Sequence, residues 1–138
     1  DKYTNIDEGL PYVATKDISF EGSINYNNGI SIPVSESNKF KISKENSTLV
    51  CAEGGSAGRK IAFSYKSCHF VNKLFSIEPN EEVEPKFIYY YTLGKQFQSQ
   101  FKNNLTGLIG GVSLKKIKNF EISLPKSNLS KTLCNLCL

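Results

Sequence analysis

Residues 48–65 read Thr48-Leu-Val-Cys-Ala-Glu-Gly-Gly-Ser-Ala-Gly-Arg-Lys-Ile-Ala-Phe-Ser-Tyr65, and this stretch decides the expected fold. A short apolar run, 48–52, ends abruptly in a glycine-rich segment, 53–58, and a second β-favouring run follows over 60–65. Short apolar runs bounded by glycine are typical of buried strands. The stretch therefore predicts two strands joined by a flexible loop, which we name the first glycine loop (residues 53–58).

The sequence on either side of this unit also favours extended structure. Residues 9–18 mix β-favouring side chains with Pro11, which suits a strand edge because no ladder N–H is needed there. Asn27-Asn28-Gly29 separates the β-favouring runs 20–26 and 29–34, and Asn-Gly in such a position predicts a hairpin. Residues 70–77 predict one further strand, which Pro79 and an acidic run end.

The hydrophobic period changes from Pro85 onward. Apolar and small residues recur at spacings of 4, 3, 3 and 4, at Phe87, Tyr91, Gly94, Phe97 and Phe101. This stripe predicts one amphipathic helix over about residues 85–102. Glycine on the stripe permits a close approach to a sheet, because it has no Cβ.

A second glycine-containing loop, 103–111, follows the helix, and Ser113 is placed to cap a single helical turn. Residues 120–124 then predict a closing strand before Pro125, and 126–138 stay unassigned. Together these elements predict one small mixed α/β domain, with a twisted, mostly β-strand sheet, one main helix and glycine-rich loops.

Composition limits the class of protein. The chain has 138 residues, 39% hydrophobic and 22% charged, which is enough for a self-sufficient core without disulfides or metal. It has no apolar run long enough to span a membrane and no secretory pattern, so we expect a cytoplasmic protein. It lacks methionine and begins at Asp1, from which we expect something to precede it in nature.

Charge is distributed unevenly along the chain. The formal net charge of +4 divides into −2 for residues 1–50, +1 for residues 51–100 and +5 for residues 101–138. The basic C-terminal third is compatible with an anionic partner.

Catalytic and metal-binding patterns are weak. A nucleophilic triad would have to use the single histidine, His69, whose neighbour Cys68 points the other way in a strand. Cys134 and Cys137 have a zinc-like gap, but no second such pair completes four ligands, and Cys51 is expected in the core. We therefore predict no metal and no cofactor.

Two other classes stay open as alternatives. Glu84-Pro-Lys86 is similar to the end of a metal-dependent nuclease motif, although Asn80 stands where that motif has aspartate. The other alternative is a β-rich protein-interaction module that uses the glycine loops.

Basic residues follow both glycine loops. Arg59 and Lys60 follow the first, and Lys115, Lys116 and Lys118 follow the second. Glycine lets a backbone approach a flat or charged surface, and arginine binds phosphates or guanine edges with its planar fork. The alternative interpretation is two ordinary turns with solvated basic neighbours.

The order of these pieces, over about residues 9–125, resembles the target recognition domains of type I restriction enzyme specificity subunits and of related fused restriction-modification proteins. The motifs that carry the resemblance are Gly9-Leu-Pro-Tyr-Val, Lys16-Asp17-Ile18, residues 49–59, Asn72-Lys-Leu-Phe, Pro85-Lys-Phe-Ile-Tyr-Tyr-Tyr, residues 106–113 and Ile117-Lys-Asn-Phe-Glu-Ile-Ser-Leu-Pro125.

The resemblance implies a non-catalytic bacterial α/β domain, residues 1–125, that contacts one half of a bipartite double-stranded DNA target. Methylation and cleavage would belong to separate modification and restriction subunits, or to fused catalytic domains. A second recognition domain or half-subunit is a further possible partner. From the resemblance we expect the family's spacer helix to be absent or truncated in the short tail, 126–138. The candidate DNA-binding residues are Tyr26, Asn27, Asn28, Ser56, Arg59, Lys60, Thr106, Lys115, Lys116 and Lys118.

Overall fold

Strands make up most of the regular structure. The computed structural model describes residues 2–106, 110–123 and the backbone of 130–132. The strands in these residues are β1 Leu10–Val13, β2 Ser31–Ile32, β3 Lys41–Ser43, β4 Ser47–Cys51, β5 Ile61–Ser64, β6 Cys68–Phe70, β7 Leu74–Ile77, β8 Glu121–Ser123 and β9 Ser130–Thr132. The helices are α1 Pro85–Leu93, α2 Lys95–Asn103 and α3 Leu114–Ile117, and short 3₁₀ turns occupy Thr15–Asp17 and Val34–Lys39.

The strands form separate sheets. The first sheet has the order β2-β1-β6-β3, in which β1 and β6 are parallel, with Tyr12 opposite His69. The second sheet has the order β5-β4-β7 and is antiparallel throughout. β8 and β9 form a small antiparallel pair. The mixed α/β class is confirmed, with separate sheets rather than a single one.

β4 is the central strand of the second sheet, and all its residues are buried. Leu49 and Cys51 belong to one core, shared with Val13 of the first sheet. Val50 belongs to a second core, which contains Phe97 of α2. Because alternate side chains of a strand point to opposite faces, β4 lies between two packed layers. This double burial explains why Leu49, Val50 and Cys51 form an uninterrupted apolar run within β4.

The strand, loop and strand predicted over 48–65 are confirmed. β4 pairs antiparallel with β5, with Leu49 opposite Ala62, and residues 53–58 connect them. Cys51 and Cys68 are buried free cysteines, as expected for small core residues.

The hairpin predicted at residues 27–29 is wrong. β2 pairs with β1, with Leu10 opposite Ile32, instead of with residues 20–26. The side chain of Asn28 donates to Tyr12 O at 2.7 Å and to Asp17 Oδ2 at 2.8 Å, and its Oδ1 accepts from Ile30 N at 2.9 Å. These bonds tie the turn to β1 and to the 3₁₀ turn at Thr15–Asp17. β2 therefore pairs with the more distant β1 and not with the adjacent residues 20–26.

The single strand predicted over 70–77 is two strands. β6 ends at Phe70 and β7 begins at Leu74, and the two belong to different sheets. A turn lies between them, in which Leu74 N donates to Val71 O at 3.1 Å. β9 lies within the tail 126–138, for which the sequence predicts no element, and Cys134 and Cys137 lie outside the described residues.

The predicted helical region is confirmed, but it is divided in two at Gly94. Tyr91, Phe97 and Phe101 of the stripe are buried. Gly94 has an extended backbone, with ψ of 172°, and it caps both helices. A Cβ there would lie 3.5 Å from Tyr91 O of the preceding turn, so the expected close approach to a sheet does not occur. The low helix propensity of glycine favours the break at this position.

Candidate nucleic-acid interface

The two glycine loops are joined by backbone hydrogen bonds. Gly54 N donates to Gly110 O at 3.0 Å, and Val112 N donates to Ala52 O at 3.0 Å. Glu53 and Gly111 form an antiparallel bridge between these bonds. We call this contact, residues 52–54 with 110–112, the loop junction. It brings the segments that follow both loops to the same end of the second sheet.

The first glycine loop is fixed to α2 as well as to β4. Gly58 N donates to Cys51 O at 2.8 Å, and the amide of Gln98 donates to Gly58 O at 3.0 Å. A Cβ on Gly58 would lie 2.7 Å from the ring of Phe101, which is itself buried. The loop therefore has a defined position, and its exit into Arg59 is set by the packing against α2.

Arg59 and Lys60 leave the loop together and contact the same ring. Their backbone N–H groups donate to Ser56 O at 2.9 and 3.2 Å. Arg59 Cζ lies 5.0 Å and Lys60 Nζ 5.1 Å from the ring centroid of Phe20. Lys60 Nζ also donates to Thr15 O at 3.1 Å, while the Arg59 side chain is exposed. Of these two side chains, Arg59 is therefore the more accessible to a partner.

The second loop leads into a short basic helix. Ser113 caps α3 as predicted, since its Oγ accepts from Lys116 N at 3.4 Å. Ile117 anchors the helix in the core. Lys115, Lys116 and Lys118, the α3 lysines, are exposed. Thr106 is exposed as well, and its N–H donates to Gly111 O at 2.9 Å.

The three candidate DNA-binding residues at 26–28 differ in their burial and in their hydrogen bonds. Tyr26 is only 8% exposed, and its hydroxyl lies 3.2 Å from Ser64 Oγ. Burial raises the pKa of this phenol above its ordinary value. The Asn28 amide is occupied by the internal bonds described above. Asn27 is exposed, so it is the member of this group whose side chain faces solvent.

Sequence reasoning missed two residues near the loops. Phe20 is 55% exposed, and its ring contacts the cationic groups of Arg59 and Lys60. Lys73 is exposed, and its carbonyl accepts from Ala52 N at 2.8 Å, beside the loop junction. No local sequence signal identifies Phe20, because its cations are about forty positions away. Lys73 lies inside the Asn72-Lys-Leu-Phe motif of the family resemblance, so the sequence did contain a signal that could have identified this residue.

The remaining reactive side chains are dispersed. His69 is buried, with Nδ1 3.1 Å from Lys41 O. Lys86 Nζ lies 5.8 Å from the Phe63 ring, and Glu84 is exposed at the start of α1. Within the described residues, no three His, Cys, Asp or Glu side chains are grouped so that they could hold a metal ion. Within the same residues, no helix has the length and apolar character needed to cross a membrane.

The structure is thus a small mixed α/β domain with exposed basic residues after both glycine loops. The family model for the type I restriction modification DNA specificity domain matches residues 5–131, and the chain belongs to this family. Its members provide DNA sequence specificity in type I restriction-modification. Comparison with individual curated proteins gives no match.

Proposed function

We propose that this chain recognises one half of a bipartite double-stranded DNA target. In this proposal it is non-catalytic and directs separate modification and restriction subunits to that target. The observation that carries the proposal is the loop junction, where Gly54 N–H donates to Gly110 O, because it joins the two glycine loops that the basic segments follow. Family membership supplies the DNA partner.

Two layers of contact follow from the chemistry of the side chains in and after the loops. The α3 lysines hold phosphates, which positions the domain without reading sequence. Arg59, with Ser56 and Thr106 from the two loops, reaches base edges in the major groove. Arginine is the side chain best suited to guanine, because its fork bonds O6 and N7 together.

Burial and internal hydrogen bonds distinguish the candidate residues at 26–28. Asn27 is exposed and is proposed as a DNA contact, whereas Tyr26 and Asn28 support the surface through their internal bonds. Lys60 contributes positive charge while it stays bonded to Thr15 O. We also propose Lys73 as a phosphate contact, although it was not among the residues predicted from the sequence.

Selection and sequencing of randomised duplexes retained by the purified chain tests this function. We expect an enriched short motif, and we expect Arg59→Ala to lose about 1–3 kcal/mol of discrimination at one base pair. Lys44→Ala is the matched control, because Lys44 is exposed and precedes β4, at the strand end opposite the first glycine loop.

Three outcomes would count against the proposal. The chain could retain duplexes without enriching a motif, also when the selection is repeated with the intact assembly. That result would mean that the chain binds phosphates without recognising a sequence. A uniform loss over all sequences in Arg59→Ala would make Arg59 a phosphate contact. Failure to retain any duplex at low salt would contradict DNA recognition by this surface, because phosphate contacts are strongest there.

A further inference from the structure

Phe20 is a large apolar ring held in an exposed position. It is 55% exposed, although phenylalanine is among the residues most often buried. The guanidinium of Arg59 and the ammonium of Lys60 lie 5.0 and 5.1 Å from its ring centroid. These distances fall within the range of cation–π attraction. The ring therefore contacts the two cations that leave the first glycine loop.

The turn that carries Phe20 is fixed by its own hydrogen bonds. Ser19 N donates to Ser23 O at 3.0 Å, and Ser23 N donates to Ser19 Oγ at 3.0 Å. The two serine hydroxyls lie 2.8 Å apart, and Ile18 bridges Ile24 just outside them. A turn closed in this way presents the ring in a constant place.

The two cations are held to different extents. Lys60 Nζ donates to Thr15 O, so its position has a second support. Arg59 is exposed, and its guanidinium contacts the ring of Phe20. A guanidinium stacked on a ring keeps its in-plane N–H donors available, because the ring attracts its face. Such an arrangement suits hydrogen bonding to a base edge.

We infer that Phe20 is a positioning residue that orders Arg59 for sequence discrimination. This inference rests on the proposed function, since it assigns a supporting residue to the same interface. A free arginine side chain must lose its rotamer freedom when it binds, and ordering it beforehand reduces that loss. The aromatic face, rather than apolar bulk, is the property that the position requires.

The test compares base-preference profiles from duplex selection for the full chain and its variants. Phe20→Ala removes the ring, Phe20→Leu keeps apolar bulk without a π face, and Phe20→Tyr keeps the π face. Arg59→Ala marks the base pair that Arg59 reads. Tyr90→Ala is the matched control, because Tyr90 is a 63% exposed ring on α1. Thermal unfolding of each variant verifies that it is folded.

We expect Arg59→Ala to lower discrimination at one base pair about 5- to 150-fold. Phe20→Ala and Phe20→Leu should lower it at the same base pair, by about 2- to 5-fold. Phe20→Tyr should retain it, and Tyr90→Ala should leave the profile unchanged. In the Arg59→Ala background, Phe20→Ala should have no further effect at that position, because the two residues act together.

The possible failures are distinguishable. If Arg59→Ala alters one base pair and Phe20→Ala alters none, the positioning role is wrong and the proposed function stands. If Phe20→Ala alters a different base pair from Arg59→Ala, Phe20 contacts DNA itself, which also overturns the positioning role. If Phe20→Leu behaves like the unmodified chain, apolar bulk is sufficient and the cation–π basis is wrong. If the unmodified chain enriches no motif, the proposed function fails first.

Discussion

The first glycine loop offers a graded test of the structure, since three of its glycines differ in their surroundings. Gly58 has a φ of +73°, and a Cβ there would lie 2.7 Å from the Phe101 ring. Gly54 has a φ of +90°, but a Cβ there would meet no atom within 4 Å. Gly55 has neither constraint. Alanine at each position therefore separates backbone strain from steric overlap.

The expected losses of unfolding free energy follow this order. Gly55→Ala should change stability by no more than about 0.5 kcal/mol, as for an ordinary surface substitution. Gly54→Ala should cost about 1–3 kcal/mol, because alanine rarely adopts a positive φ. Gly58→Ala should cost about 2–5 kcal/mol, because overpacking adds to the same strain. Phe101 is only 2% exposed, so its ring has little space into which to move.

Urea denaturation followed by far-ultraviolet circular dichroism measures these differences, since the chain has no tryptophan for fluorescence. A loss in Gly58→Ala that is no larger than that in Gly54→Ala would refute the packing of the loop on α2. A loss in Gly55→Ala equal to that in Gly54→Ala would refute the assigned backbone conformations.

Two further predictions concern the α3 lysines and Cys68. Replacing all the α3 lysines by glutamine should reduce the slope of log affinity against log salt by up to about 3, at roughly 0.9 for each phosphate that is no longer neutralised. A control variant, in which glutamine replaces Lys39, Lys41 and Lys44, changes the net charge by the same amount. An equal reduction of the salt slope in this control would contradict phosphate binding by the α3 lysines. Burial raises the pKa of the Cys68 thiol from 9.0 to about 11. The unfolded chain loses this proton first, so stability should fall as pH rises from 9.0 to about 11, and pH-dependent unfolding of Cys68→Ala should lack this component.

The sequence predicted best those elements whose local signals agree with their long-range packing. β4 and β5 were found because a short apolar run beside glycine is the pattern of a doubly buried strand with an adjacent turn. The helical stripe was found for the same reason, since Phe97 and Phe101 both face the core. The break at Gly94 was missed because a small residue on an apolar stripe resembles a packing position.

The errors arose where a distant partner decides the structure. Asn27-Asn28-Gly29 carries a hairpin signal, and Gly29 does adopt a positive φ of 82°. The strand beside it nevertheless pairs with β1, because Asn28 bonds Tyr12 O and Asp17. The loop junction was equally unpredictable, since it consists of backbone N–H and C=O groups that every sequence possesses.

The loop junction also links two parts of the chain that differ in net charge. The basic C-terminal third of the chain provides the α3 lysines, and the middle third provides Arg59. Val112 N–H donates to Ala52 O shortly before α3 begins, so this backbone hydrogen bond ties the start of α3 to the end of β4. Under the proposed function, this backbone contact links the residues proposed to bind phosphates with those proposed to read bases. Arg59 and Ser56 lie outside those bonded residues. Under the proposed function, substitutions there should therefore alter the bases read without changing how the domain is held on the phosphates.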